Sequence, residues 1–150
     1  MGISASVDVH GRPEDVWSVI TNIDDAVQKI SAIEEVEILE RPDEGLVGLK
    51  WRETRQMFGK SATEVMWITD VEPNQLYQTR AERHGSIYVS RLSVEPQGDG
   101  SRLTMAFDAT PQNLFAKVMG ATVGKLFEKA TRDALQKDLE DIKAVVEGRG

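Results

Sequence analysis

Three ionisable residues stand where an alternating pattern would put them on an apolar face. Glu53 and Arg55 alternate with Trp51, and Glu64 alternates with Met66 and Ile68. Burying a lone charge costs several kcal/mol, so charges in such places must pair or work. As chemistry, Arg55 could anchor a ligand carboxylate or enolate, while Glu53 or Glu64, with its proton affinity raised by burial, could move protons. The plainer reading is a cross-strand ion pair near the strand ends, half in water. Tyr77, Thr79, Tyr88 and Ser90 place hydroxyls in a similar alternation. Those hydroxyls suit either the orientation of a ligand in an apolar pocket or bonds to one another and to the backbone. Trp17, Met66, Met105 and Phe107 read as core before cavity wall.

Other chemistries lack their residues. Only two histidines, His10 and His84, and no cysteine occur, and no His, Asp or Glu spacing matches a zinc site, so neither a metal nor another cofactor is implied. A nucleophilic triad lacks its usual base, and His84 beside Gly85 reads as a turn residue. With 18 basic and 25 acidic residues the net charge is −7, which disfavours generic attraction to nucleic acid or to an anionic membrane. No apolar run approaches the roughly 18 residues of a membrane span, and the N-terminus lacks the basic-then-apolar layout of a secretion signal. One domain over residues 1–150 is expected, in a cytoplasmic protein whose partner is a small apolar molecule.

The elements that must carry these residues follow from periodicity. Ile3, Ala5, Val7 and Val9 mark a first strand. Pro13, with Glu14 and Asp15 behind it, opens a short helix with Val16, Trp17 and Ile20 inside, and a second short helical piece spans Asp24 to Ile30. From Ile33 the period is two for about seventy residues, the signature of antiparallel strands. The spacing predicts strands at Ile33–Glu40, Leu46–Phe58 (Val47, Leu49 and Trp51 on one face), Lys60–Val71, Leu76–Glu82, Ser86–Glu95 and Ser101–Ala109. Two-residue loops at Phe58–Gly59 and His84–Gly85 would put Trp51, Glu53 and Arg55 beside Glu64, Met66 and Ile68, and Tyr77, Thr79 and Ala81 beside Tyr88, Ser90 and Leu92. The last hairpin then aligns Leu92 and Val94 with Leu103, Met105 and Phe107, completing one apolar wall.

A wall with one apolar face needs a cover, and the remaining long element is a helix from Pro111 to Glu147, capped by Thr110 and stopped at Gly148. Gly120, Gly124, Phe127, Ala134, Leu135, Ile142 and Val146 share one side of it. Glycine inside a helix costs about 1 kcal/mol relative to alanine, so two glycines one turn apart on the packing side point to a hollow for a ligand. A second stripe, Phe115, Val118, Met119, Thr122 and Leu126, meets the short helices or pairs with another subunit as a homodimer, unless the helix bends.

The stretches RPEDVWSVITNIDD (12–25), VGLKWRETRQMFGKSATEVMWITDVEPNQLY (47–77) and GDGSRLTMAFDATP (98–111) resemble the START-like (SRPBCC) superfamily, in particular its polyketide cyclase/dehydrase-like branch. The resemblance covers nearly the whole chain and implies an α+β helix-grip fold. In that fold a seven-stranded antiparallel sheet wraps a long C-terminal helix, with two short helices between strands 1 and 2. It also implies a cavity between sheet and helix that binds a lipid, isoprenoid or polyketide. Alternatives within the resemblance are a cyclase/dehydratase with acid/base residues in that cavity, and a chaperone-associated interaction domain. The ligand-contacting candidates are Trp51, Glu53, Arg55, Glu64, Met66, Tyr77, Tyr88, Ser90, Phe107, Gly120, Gly124 and Phe127, with none assigned to catalysis.

Overall fold

The computed structural model describes residues 2–57, 59–83 and 85–148, with the backbone alone for residue 111 and residues 114–127. Alternation makes strands first: β1 (Gly2–Val9), then β2 (Ile33–Glu40), β3 (Lys50–Met57), β4 (Lys60–Glu72), β5 (Leu76–Arg83), β6 (Ser86–Gln97) and β7 (Gly100–Pro111). They form one antiparallel sheet in the order β1-β7-β6-β5-β4-β3-β2. Between β1 and β2 lie α1 (Pro13–Thr21), a 3₁₀ turn (Ile23–Asp25) and α2 (Ala26–Lys29). After β7 comes α3 (Leu114–Val146), 33 residues long.

Hairpin parity sets the inner face. Met57 pairs with Lys60, Arg83 with Ser86 and Gln97 with Gly100, so each of these loops has two residues. Gly59, Gly85 and Gly98 take positive φ there, a conformation that costs glycine nothing. The register that follows sets Trp51 opposite Met66, Glu53 opposite Glu64, Tyr77 opposite Leu92, Thr79 opposite Ser90, and Ser90 opposite Phe107. That is the expected inner face. The outer face holds charges paired in water, Arg52 with Glu37, Arg80 with Glu82 and Arg102 with Asp8.

Two expected boundaries move. β3 begins at Lys50 rather than Leu46, because Gly45 and Gly48 adopt positive φ and fold the chain into a turn closed by the Leu49 N–H on the Leu46 carbonyl (3.0 Å). Val47 therefore stands 54% exposed instead of sharing the buried face of Leu49 and Trp51. The other change is at Thr110 and Pro111, which continue β7 opposite Ile87 and Ser86 instead of capping and opening the helix. Among the described residues β1 pairs with β7 only as far as Asp108, so at Pro111 a missing N–H leaves no described neighbour on that side unsatisfied.

α3 lies on β1 and β7 and touches α1. Leu135, Leu139 and Ile142 are buried in the core with Ile3, Val16, Leu49, Ile68 and Leu103. At ~1.5 Å per residue the helix runs roughly 50 Å, and two polar clamps fix its C-terminal half. Lys143 Nζ donates to the Asp8 carbonyl (2.7 Å), and Glu147 accepts from the His10 N–H (2.8 Å). Two residues before Lys143, Asp141 accepts from the Ser31 N–H and hydroxyl, both at 2.9 Å. Gly148 ends the helix at positive φ, its N–H on the Val145 carbonyl. This is the helix-grip arrangement.

Candidate functional site

Sheet and helix do not close completely. A cavity of about 180 Å³ lies between them, reaching the short helices at Val19, Ile20, Ala26 and Ile30. Its sheet wall is Trp51, Met66, Leu92, Met105 and Phe107, with Tyr77, Thr79 and Ser90 among them. Ala134, Leu135 and Ile142 of α3 face these.

One polar cluster interrupts the apolar lining. Arg55 donates from Nε to Glu53 Oε2 (3.1 Å) and from Nη2 to Asp138 Oδ2 (2.8 Å). The Trp51 indole N–H donates to the other Glu53 oxygen at 3.2 Å. Side-chain exposure is 13% for Glu53, 19% for Arg55 and 5% for Asp138, which rules out the half-solvated surface pair. Glu64 stands across from Glu53 on β4 and lines the same cavity. The clamps on α3 described above bring Asp138 over the β3 guanidinium.

Burial shapes the protonation of this cluster. It pushes the Glu64 carboxyl above its ordinary value, with Arg83 pulling it back and Glu53 adding to the rise. Asp138 is likewise held high by burial, against the pull of Arg55. For Arg55, burial alone would weaken its hold on the proton, but Asp138 and Glu53 outweigh it and the guanidinium is held above its usual range. Tyr77 is fully enclosed, and burial together with the Glu53 charge keeps its phenol protonated far above the usual range. That hydroxyl donates to the Ile20 carbonyl (3.2 Å), and its ring meets Trp17 edge-on at 6.2 Å. Tyr77 thus ties α1 to the sheet while forming part of the wall.

Two polar atoms in the wall have no partner among the described residues. They are Thr131 Oγ1 and Asp138 Oδ1, both on α3, in residues 3% exposed. Buried polar atoms are nearly always hydrogen-bonded; both residues line the cavity, while these two oxygens are themselves packed away from it.

Of the residues expected from sequence, the cavity wall holds Trp51, Glu53, Arg55, Glu64, Met66, Tyr77, Ser90 and Phe107. Tyr88 lies on the inner face, stacked on Phe107 at 5.7 Å, and is not among the residues lining the described cavity. The side chains of Phe127 and of the second stripe, and the space at Gly120 and Gly124, fall outside the described residues, as does His84. Asp138 and Thr131 were missed. Their signal was present: both sit in the helical spacing that joins Leu135 to Ile142, where a carboxylate belongs only if something across the interface answers it. Among the described residues no group of three or more His, Cys, Asp and Glu is placed to hold a metal, and no helix is long and apolar enough to cross a membrane.

Residues 2–147 match the family described as polyketide cyclase / dehydrase and lipid transport, and the chain belongs to that family. Its fold is shared with a START superfamily protein from Mycobacterium smegmatis (TM-score 0.82, 19% identity, 99% of each chain covered). A Thermus thermophilus protein superposes with a TM-score of 0.81 at 15% identity, over 99% of this chain and 98% of that one. The Zhui aromatase/cyclase from a Streptomyces species gives 0.77 at 17% identity, covering 99% and 94%. No functionally curated protein matches the chain in sequence.

Proposed function

We propose that this protein binds a hydrophobic small molecule, of lipid, isoprenoid or polyketide type, between the sheet and α3. The observation that carries the reading is a cavity of about 180 Å³ between the sheet and α3, walled by Trp51, Met66, Leu92, Met105 and Leu135 and interrupted by one buried polar cluster of Glu53, Arg55 and Asp138. Apolar walls with a few fixed polar groups are what small-molecule sites consist of. A cysteine-free chain suits a reducing compartment, and the reading is of a cytoplasmic binder. Native mass spectrometry of freshly purified protein tests it. A small retained mass is expected in the wild type and should be absent from Ala134→Trp, which fills the space from the helix side. Equal retention by both proteins would place the ligand elsewhere.

A second reading, a cyclase or dehydratase, is favoured by the same cluster. Glu64 and Asp138 hold protons more tightly than ordinary carboxyls, the direction that suits a carboxyl to donating a proton. Turnover lost in Glu53→Gln with binding retained would support it, whereas binding without turnover across a panel of polyketide-like substrates would count against it. The chaperone-associated reading rests on the second helix stripe, whose side chains lie outside the described residues.

A further inference from the structure

The sheet wall of the cavity carries two hydroxyls with no structural task among the described residues. Thr79 on β5 stands opposite Ser90 on β6, and both line the cavity. Neither side-chain oxygen makes a hydrogen bond among the described residues, and neither is sealed in the protein: each keeps accessible surface, unlike Thr131 Oγ1 and Asp138 Oδ1. Thr79 as a whole is 6% exposed, so that surface opens onto the cavity and not onto bulk water. Register sets the pair in one row across the sheet, Ile3, Phe107, Ser90, Thr79 and Ile68. Nothing in that row is charged. The ions of the site stand elsewhere and answer one another, Arg55 holding Glu53 and Asp138, and Arg83 lying beside Glu64. Lys29, on the α2 wall, donates to the Val19 carbonyl (3.4 Å).

Resting on the binding reading above, we infer that the ligand is uncharged where it meets the middle of the sheet and carries a carbonyl there, whose oxygen accepts from both Thr79 and Ser90. Side chains directly opposite on neighbouring strands have Cβ atoms about 4.5–5.5 Å apart, so both hydroxyls reach one oxygen between them at the ordinary spacing of ~2.7–2.8 Å. A carbonyl oxygen has two lone pairs and takes both hydrogens. A ligand hydroxyl does less well. It accepts from one wall hydroxyl and donates to the other, whose own hydrogen is then left against apolar side chains such as Leu92 and Phe107. A carboxylate or an ammonium would be desolvated on this row without a counter-ion, a cost larger than the hydrogen bonds return. The apolar body of the ligand then lies along Leu92, Met105 and Leu135. A cavity of about 150 Å³ accommodates a benzene ring, so about 180 Å³ sets the size of that body at one ring with a short arm.

Four probes with one phenyl body isolate that group: acetophenone, α-methylstyrene, in which C=CH₂ replaces C=O at nearly the same shape, benzoate and 1-phenylethylamine. Each is titrated calorimetrically at pH 7 into the wild type, Thr79→Val, Ser90→Ala and the double variant. Either single substitution should weaken acetophenone roughly fivefold, the loss of one hydrogen bond, and the two together at least tenfold. α-Methylstyrene should stay within twofold of its wild-type affinity throughout, which also shows that the cavity survives each change. Benzoate and 1-phenylethylamine should bind the wild type at least tenfold more weakly than acetophenone. Acetophenone weakened no more than α-methylstyrene by these substitutions would overturn the inference while leaving the cavity-binding reading intact. Benzoate or the amine binding as tightly as acetophenone would overturn it too, and loss of that benzoate affinity in Lys29→Met would then name Lys29 as the anchor. Failure of all four probes to bind the wild type would overturn both readings.

Discussion

Removing one guanidinium should loosen the grip of the sheet on the helix by a measurable amount. Arg55 is the only described side chain that bonds β3 directly to α3 through an ion pair, and Arg55→Met keeps most of its length while deleting the charge. Asp138, 5% exposed, then loses the donor to Oδ2, and Glu53, 13% exposed, keeps only the Trp51 N–H. Breaking a buried pair by removing one partner costs roughly 3–5 kcal/mol. The Arg55 side chain is 19% exposed, which favours the lower end of that range. At about 2–4 °C per kcal/mol for a chain of this size, the thermal midpoint should fall by roughly 6–12 °C for a loss near 3 kcal/mol. Urea titration followed by far-ultraviolet circular dichroism gives the same quantity independently. The double variant Arg55→Met/Asp138→Leu should recover most of the loss, since a buried pair exchanged whole for apolar groups is often neutral. A single-variant loss below about 1 kcal/mol, the size expected of a solvent-screened pair, would refute the reasoning, and so would a double variant no better than the single.

Further variants test other parts of the account. Because burial raises the native Glu64 proton affinity above the ordinary value of 4.5, this residue supports the fold below that pH and loses its contribution as pH rises through the raised native value. Glu64→Gln should accordingly melt above the wild type at pH 7, with the gap closing toward pH 4 in differential scanning calorimetry; equal midpoints at pH 7 would remove Glu64 from the buried cluster. Gly100→Ala would press a Cβ into the Val9 carbonyl oxygen, a backbone atom that cannot rotate away. Crowding of that kind costs about 1–3 kcal/mol, read as a lower urea midpoint, and a midpoint unchanged from wild type would show that β1 and β7 can part there freely. Leu139 is 0% exposed, so Leu139→Ala should cost ~2–5 kcal/mol by the same titration. A loss under 1 kcal/mol would mean α3 is not packed as described.

How far these features could be seen in advance depended on whether their causes were local. Strand register was legible because glycine at residues 59, 85 and 98 permits two-residue loops, and an even loop preserves the parity that puts Trp51, Glu53 and Arg55 on one face with Met66 and Glu64. Thr110 and Pro111 misled for the opposite reason. Their local chemistry is that of a helix start, and what overrides it is pairing with Ser86 and Ile87, in a strand whose turn begins some 25 residues earlier in the chain. The Leu46 boundary failed because alternation was read through Gly45 and Gly48, whose positive φ breaks it. At the site, Glu53 and Arg55 could be placed by alternation alone. Their essential partner could not, because Asp138 lies 83 residues away from Arg55, and a helical aspartate reads as solvated until its place in the Leu135 to Ile142 stripe is noticed.

Everything functional here depends on the space between Trp51 and Ala134 being available to a guest. Calorimetric titration of ethylbenzene, which has no polar end, measures that directly in the wild type and in Ala134→Trp. A saturable one-to-one isotherm in the wild type, abolished in a variant that keeps a cooperative thermal transition, is the predicted result. An isotherm identical in both proteins, or none in the wild type, would contradict the account.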